Sequence, residues 1–212
     1  ACKKRSVIDK KNIIFIGCLL LILSLMIVFL KISPVLMDKK PELISGKLLS
    51  QPLSIKPFDL INQYQEDFDK EDLKNKWSIL FFGYTNCPDV CPTTIYKLSE
   101  IQKKLGQEKE LNDDFQVILI TLDPKRDSVS RLKEYLAFFG PSLIGLTGDD
   151  SEIRKIASNL SVYFEQVGEE KQYDFNHTAS IFLIGPEGTV IASFSPASKS
   201  EELTQDILNI IQ

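Results

Sequence analysis

The chain has 212 residues, with 25 basic and 29 acidic side chains for a formal net charge of −4. That length suits one domain of ordinary size plus an appendage. Six basic residues and one acidic residue fall in the first 34 positions, leaving 19 against 28 and a net charge of −9, which excludes electrostatic capture of nucleic acid.

The appendage comes first. Residues 13–30 carry no charge and reach the minimum length for a transmembrane helix. Lys3, Lys4, Arg5, Lys10 and Lys11 precede the run, while Lys31, Lys39 and Lys40 follow it. This bias predicts an N-terminus inside and a C-terminal domain across the membrane. A cleaved signal peptide is the alternative, but the run is long for one and no small-x-small site follows it. Cys18 follows Ile16-Gly17 as in a lipoprotein site, yet the apolar run continues through Leu30, so it reads as a membrane-buried thiol. Cys2 lies on the inner side. The expected division is an inner N-terminus at 1–12, a span at 13–30, a tether at 31–50 carrying Pro34, Pro41 and Gly46, and a domain at 51–212.

Phe58–Phe68 reads as a short hairpin turning at Asn62-Gln63, and Asp69 with Asp72 resembles a helix start. Trp77 to Phe82 is an apolar run of the kind buried on both faces of a sheet. Gly83 breaks it, and a proline-flanked loop follows with Cys87 and Cys91. Ile95, Leu98, Ile101 and Leu105 predict a helix over 92–105, with Pro92 suited to its first position. Two thiols then sit at a helix start, where amides and dipole favour thiolate.

A charged loop spans 106–114, and a second strong strand runs from Phe115 to Leu122 before Asp123-Pro124. Residues 128–139 form an amphipathic helix, Leu143–Leu146 a short apolar segment, and Asp149 with Glu152 caps a helix to about Leu160. Val162–Val167 is an extended piece, 168–174 a polar stretch, and Asn176-His177-Thr178 leads into two β-rich runs around Gly185-Pro186-Glu187-Gly188. Ser198 with Glu201 opens a final helix. The order predicts an α/β domain, a mixed central sheet flanked by helices, and the two-cysteine loop at the first core helix makes it thioredoxin-like.

The cysteines are spaced C-x-x-x-C, one residue longer than the dithiol oxidoreductase pattern, and Pro88 and Pro92 stiffen the loop. Two thiolates suit Cu(I), and an imidazole added to them also admits Cu(II) or Zn(II). His177 is the one histidine in the chain. In thioredoxin-like folds the turn before the last hairpin lies against the cysteine loop, and His177 occupies that turn. The cis-proline usual there is absent, since no proline stands between Pro141 and Pro186. A structural disulfide and a redox dithiol use the same two cysteines.

Gly83-Tyr84-Thr85-Asn86-Cys87-Pro88-Asp89-Val90-Cys91-Pro92 closely resembles the signature of the Sco/SenC family. Ile120-Thr121-Leu122-Asp123-Pro124-Lys125-Arg126-Asp127 and His177-Thr178 with Phe182–Gly188 match it too, and the resemblance runs from about Pro57 to the C-terminus. It implies a copper-binding protein, Cu(I) or Cu(II), held by Cys87, Cys91 and His177. It also implies delivery to the dinuclear copper centre in subunit II of cytochrome c oxidase, without enzymatic turnover. The resemblance implies a single-pass inner-membrane protein facing the bacterial periplasm, or the mitochondrial intermembrane space.

Asn86 stands where family members often have histidine, and Asn176 where they often have aspartate. The missing acid beside His177 predicts weaker orientation of the imidazole. Asp123 resembles a family-typical acid near the site, with capping of the next turn as the plainer role.

The competing reading is a thiol–disulfide oxidoreductase that reduces cysteines of an extracytoplasmic target and is itself served by a thiol reductant. A peroxidase is excluded, because Tyr84 and Pro88 stand where a peroxiredoxin has threonine. The bias toward Lys, Ile and Asn leans toward a bacterium with AT-rich DNA.

Overall fold

The apolar run from Trp77 lies in the middle of an eight-stranded mixed sheet, buried on both faces from Ser78 onward. The computed structural model describes residues 10–37, 41–107, 115–169 and 172–211. In chain order the elements are α1 (Lys10–Met37), β1 (Gly46–Ser54), β2 (Asp59–Asn62), β3 (Asp67–Asp69), β4 (Trp77–Gly83) and α2 (Val90–Gln107). There follow β5 (Phe115–Thr121), α3 (Val129–Ala137), β6 (Leu143–Thr147), α4 (Asp150–Asn159), β7 (Phe164–Glu169), β8 (Gln172–His177), β9 (Ile181–Ile184), β10 (Thr189–Phe194) and α5 (Ser200–Ile211). The chain divides into two units between Glu42 and Leu43.

The sheet order is β1-β10-β9-β4-β5-β6-β2-β3, with β7 and β8 as a separate two-stranded sheet. β4, β5 and β6 are parallel, and β9 joins β4 antiparallel on its other side. Alternate residues of β4 serve two cores. Ile79 and Phe81 meet α2, α3 and α5 through Leu98, Leu132 and Leu203, while Leu80 and Phe82 meet α4 through Ile153 and Ile156. Ile95, Leu98, Ile101 and Leu105 form the buried stripe of α2, each contributing about 1.5–3 kcal/mol. A mixed α/β sheet between helices is what the sequence pattern predicts.

The hairpin at β2–β3, the capping pair of Asp69 and Asp72, the strands at β4, β5 and β6 and the β9–β10 hairpin stand where they are expected. Five details differ. β1 begins at Gly46, inside the stretch read as tether, and pairs with β10. α2 starts at Val90, so Cys91 lies within its first turn and Pro92 is not its first residue. Asp149 makes no side-chain cap: the Glu152 amide donates to the Asp149 carbonyl at 3.0 Å, and the Glu152 carboxylate accepts from the Asp59 amide and Lys155. α5 opens at Ser200 rather than Ser198. The polar stretch after Val167 is half of the β7–β8 hairpin, and His177 ends β8 instead of sitting in a plain turn. The loop expected at 106–114 falls from residue 108 onward outside the described residues, as does Cys2.

The uncharged 13–30 run lies within α1, whose described side chains, 15–29, are exposed. Among the described residues no helix is long and apolar enough to cross a membrane.

Candidate metal and thiol site

β4 ends at Gly83 beside Thr121, the last residue of β5, and the Leu122 amide donates to the Gly83 carbonyl at 2.8 Å. Carboxyl ends of parallel strands are where an open α/β sheet places its ligand sites. The loop carrying Cys87 and the segment 123–127 therefore leave the sheet side by side. The Cys87 amide donates to the Tyr84 carbonyl at 3.3 Å, turning the chain toward α2.

Cys87 and Cys91 are both free thiols. They differ in surroundings. Cys87 is half-buried, and its sulfur accepts the Cys91 amide, a first-turn donor of α2, at 3.4 Å. Cys91 has no exposed surface, and burial, with Cys87 as hydrogen-bonding neighbour, pushes its thiol far up. Room for the Cys91 sulfur comes from Gly83, where an added Cβ would stand 3.0 Å from it.

His177 is half-buried at the end of β8. Its Nδ1 lies 3.2 Å from the Thr178 carbonyl. A carbonyl only accepts, so Nδ1 carries the proton and the Nε2 lone pair is left for a metal or an acid. Burial lowers the pKa of His177 and favours the neutral ring that a metal requires. The ring meets Tyr84 edge-on, with centroids 6.2 Å apart. Tyr84 thus holds the Cys87 amide with its carbonyl and meets His177 with its ring.

The sulfurs are brought together and His177 is set against their common neighbour. Among the described residues, however, no group of three or more His, Cys, Asp or Glu side chains is placed to hold a metal. Asn176 is exposed and lies across from Glu165, on the strand face opposite His177. Asp123 closes the turn before α3, its carbonyl accepting the Arg126 and Asp127 amides at 3.1 and 2.8 Å, while Ser128 caps the helix itself. Its carboxylate pairs with Arg126 and accepts the Tyr173 hydroxyl at 3.0 Å. Cys18, in α1, is a free, exposed thiol.

Sequence reasoning gave no role to Thr85, Asp127, Arg126 or Tyr173. The first three lie in the quoted motifs, so a signal was there. Tyr173 sits in a stretch read only as polar.

A family model described as SCO1/SenC matches residues 47–212. An SCO2-like protein of Rickettsia conorii is 36% identical over 155 residues, covering 72% of this chain and 74% of its own. The structure of Bradyrhizobium japonicum ScoI with copper bound is similar at 35% identity and a TM-score of 0.67, over 74% of this chain and 99% of that one. BsSco, described as having a disulfide switch and as a member of the Sco family of cytochrome c oxidase assembly proteins, is similar at 26% identity and a TM-score of 0.63, over 77% and 98%.

Proposed function

Given that the chain belongs to the SCO1/SenC family, we propose that it is a copper chaperone, not an enzyme, anchored in a membrane and serving subunit II of cytochrome c oxidase. Cys87 and Cys91 as thiolates and His177 through Nε2 hold one copper as cargo. Two sulfurs suit Cu(I), and the imidazole extends the set to Cu(II). The observation that carries this reading is the double engagement of Tyr84, with Cys87 through its carbonyl and with His177 through its ring. The half-exposed Cys87 is where an acceptor's thiolate begins ligand exchange, while the buried Cys91 lets go last.

Residues 13–30 form the anchor, the N-terminus at 1–12 lies inside, and a tether from residue 31 leads to a domain whose first strand, β1, begins at Gly46. In α1 the Ser24 hydroxyl donates to the Leu21 carbonyl at 3.0 Å, which satisfies it without water. The domain faces the periplasm, or in a mitochondrion the intermembrane space.

The test is copper titration of the full chain in detergent. One copper per chain is expected in the wild type, with weaker binding in His177→Ala and none of comparable affinity in Cys87→Ser with Cys91→Ser. Absence of stoichiometric copper, or equal binding by His177→Ala, rejects the ligand set.

A second reading has its own support in the free thiols, one accessible and one buried. Cys87 attacks a target disulfide, Cys91 resolves the mixed disulfide, and the two electrons and two protons pass to the target as Cys87 and Cys91 join. A thiol reductant then restores the pair. This reading expects full activity from His177→Ala.

A further inference from the structure

The segment joining β5 to α3 grips both halves of the site. At one end Asp127 accepts from the Thr85 amide and hydroxyl, two residues before Cys87. At the other end Asp123 and Arg126 reach the hairpin that carries His177.

Their grip closes on Tyr173. The Arg126 guanidinium carbon lies 3.7 Å from the Tyr173 ring centroid, and Nη1 donates to the Tyr173 carbonyl at 2.9 Å. The Tyr173 hydroxyl donates to Asp123 Oδ1 at 3.0 Å, and Arg126 Nε pairs with Oδ2 of the same carboxylate. Ring, hydroxyl and backbone of one residue are all engaged. Asp123 is 1% exposed, so the carboxylate end of the clasp is shielded from solvent, while Arg126 and Tyr173 are half-buried. The arrangement even leaves Arg126 Nη2 buried with no partner in the described structure, a cost that packing alone gives no reason to accept.

From Tyr173 the half-buried side chains of β8 alternate through Phe175 to His177. Their rings form a chain: Tyr173 meets Phe175 with centroids 5.8 Å apart, Phe175 meets Tyr84 at 5.3 Å, and Tyr84 meets His177 at 6.2 Å. A two-stranded ribbon outside the main sheet is marginal alone and takes its place from what clasps it.

We propose that Tyr173 is a positioning residue for His177: clasped by Arg126 and Asp123, it fixes the β7–β8 hairpin to the segment that also holds the cysteine loop, and so sets where the imidazole stands relative to the two sulfurs. The inference rests on the reading of Cys87, Cys91 and His177 as copper ligands. Tyr173 touches no metal; it acts through His177.

The test loads the full chain in detergent with Cu(II), comparing wild type, Tyr173→Phe, Arg126→Gln, His177→Ala, and Tyr173→Phe combined with His177→Ala. Affinity is read by chelator competition and the histidine by nitrogen superhyperfine coupling. Tyr173→Phe keeps the ring and removes one hydrogen bond, so it folds even if Arg126→Gln does not. We expect Tyr173→Phe to weaken Cu(II) about tenfold and to reduce the nitrogen coupling while sulfur-to-copper charge transfer persists. In the His177→Ala background the same substitution adds nothing. Wild-type affinity and coupling in Tyr173→Phe, or penalties that add to that of His177→Ala, would overturn the positioning role. His177→Ala binding with wild-type affinity and coupling would overturn the ligand set itself, and this inference with it.

Discussion

Thr85 donates to Asp127 twice, from its amide at 3.0 Å and its hydroxyl at 2.6 Å. The Thr121 hydroxyl adds a third donor at 2.6 Å, and the carboxyl has no exposed surface. Burial nevertheless raises the Asp127 carboxyl above its ordinary value of 3.8, outweighing donors that favour the charged form. An acid that keeps its proton better when folded adds stability that is fully present below its unfolded value. That stability is lost as pH rises through the folded one. Asn at this position cannot titrate. The stability advantage of wild type over Asp127→Asn is therefore expected to shrink as pH rises from 3.8 through the raised value. Urea midpoints of the two apoproteins across that window check it. An advantage that grows with pH would mean that the three donors prevail over burial.

Gly83 is the point where the sheet meets the thiols. A Cβ there would stand 3.0 Å from both the Cys91 sulfur and a Phe81 ring carbon, and 3.2 Å from a Leu119 methyl. All three neighbours sit in one packed core. Gly83→Ala is expected to destabilise the domain by about 1–3 kcal/mol through overpacking. It should also weaken copper binding, because the sulfur is the atom displaced. Thermal unfolding and copper competition on the same sample separate the two effects, and a variant as stable and as tight as wild type would show that the core yields freely.

How legible the fold was depended on how many faces each strand buries. Trp77–Gly83 and Phe115–Thr121 are covered on both sides, so their sequences are near-continuous apolar runs, interrupted inside only by Ser78 and Gln116, and were plain. Gln172–His177 half-buries one face only, with Tyr173, Phe175 and His177 separated by exposed Gln172, Asp174 and Asn176. Preceded by Gly168-Glu169-Glu170-Lys171, that alternation reads as a polar loop. Gly168 was the missed signal. At φ +109°, with a Cβ that would meet the Gln172 carbonyl at 2.6 Å, it is a glycine the hairpin needs. The thiol pair was legible because its members are four residues apart, whereas the tie from Arg126 to Tyr173 spans elements with no shared local pattern.

Asp206 anchors the start of the domain. Its carboxylate is fully buried and accepts the amides of Ile44, Ser45 and Gly46 at 2.6, 2.8 and 2.8 Å. Asp206→Ala leaves these donors without their charged acceptor, and a loss of about 3 kcal/mol is expected. Asp206→Asn keeps one acceptor oxygen and should lose less. Hydrogen exchange at Ile44–Gly46 should accelerate in the alanine variant more than exchange in β4. Uniform acceleration would indicate global loosening instead.

Asn176 tests whether an acid next to His177 in sequence is also next to it in function. Alternation along β8 puts the exposed Asn176 on the face opposite the imidazole, and cross-strand pairing sets it against Glu165. An acid there reaches no ring nitrogen, and His177 already spends Nδ1 on the Thr178 carbonyl. A carboxylate partner acting on a metal-bound histidine changes affinity about tenfold or more, so Asn176→Asp is expected to alter copper affinity by less than about twofold. Facing Glu165, it should instead cost about 0.2–1 kcal/mol through like-charge repulsion, relieved by salt. Copper competition and unfolding at low and high ionic strength give both numbers. A tenfold gain in affinity would show that the sequence neighbour does orient the imidazole, and that the strand turns to let it.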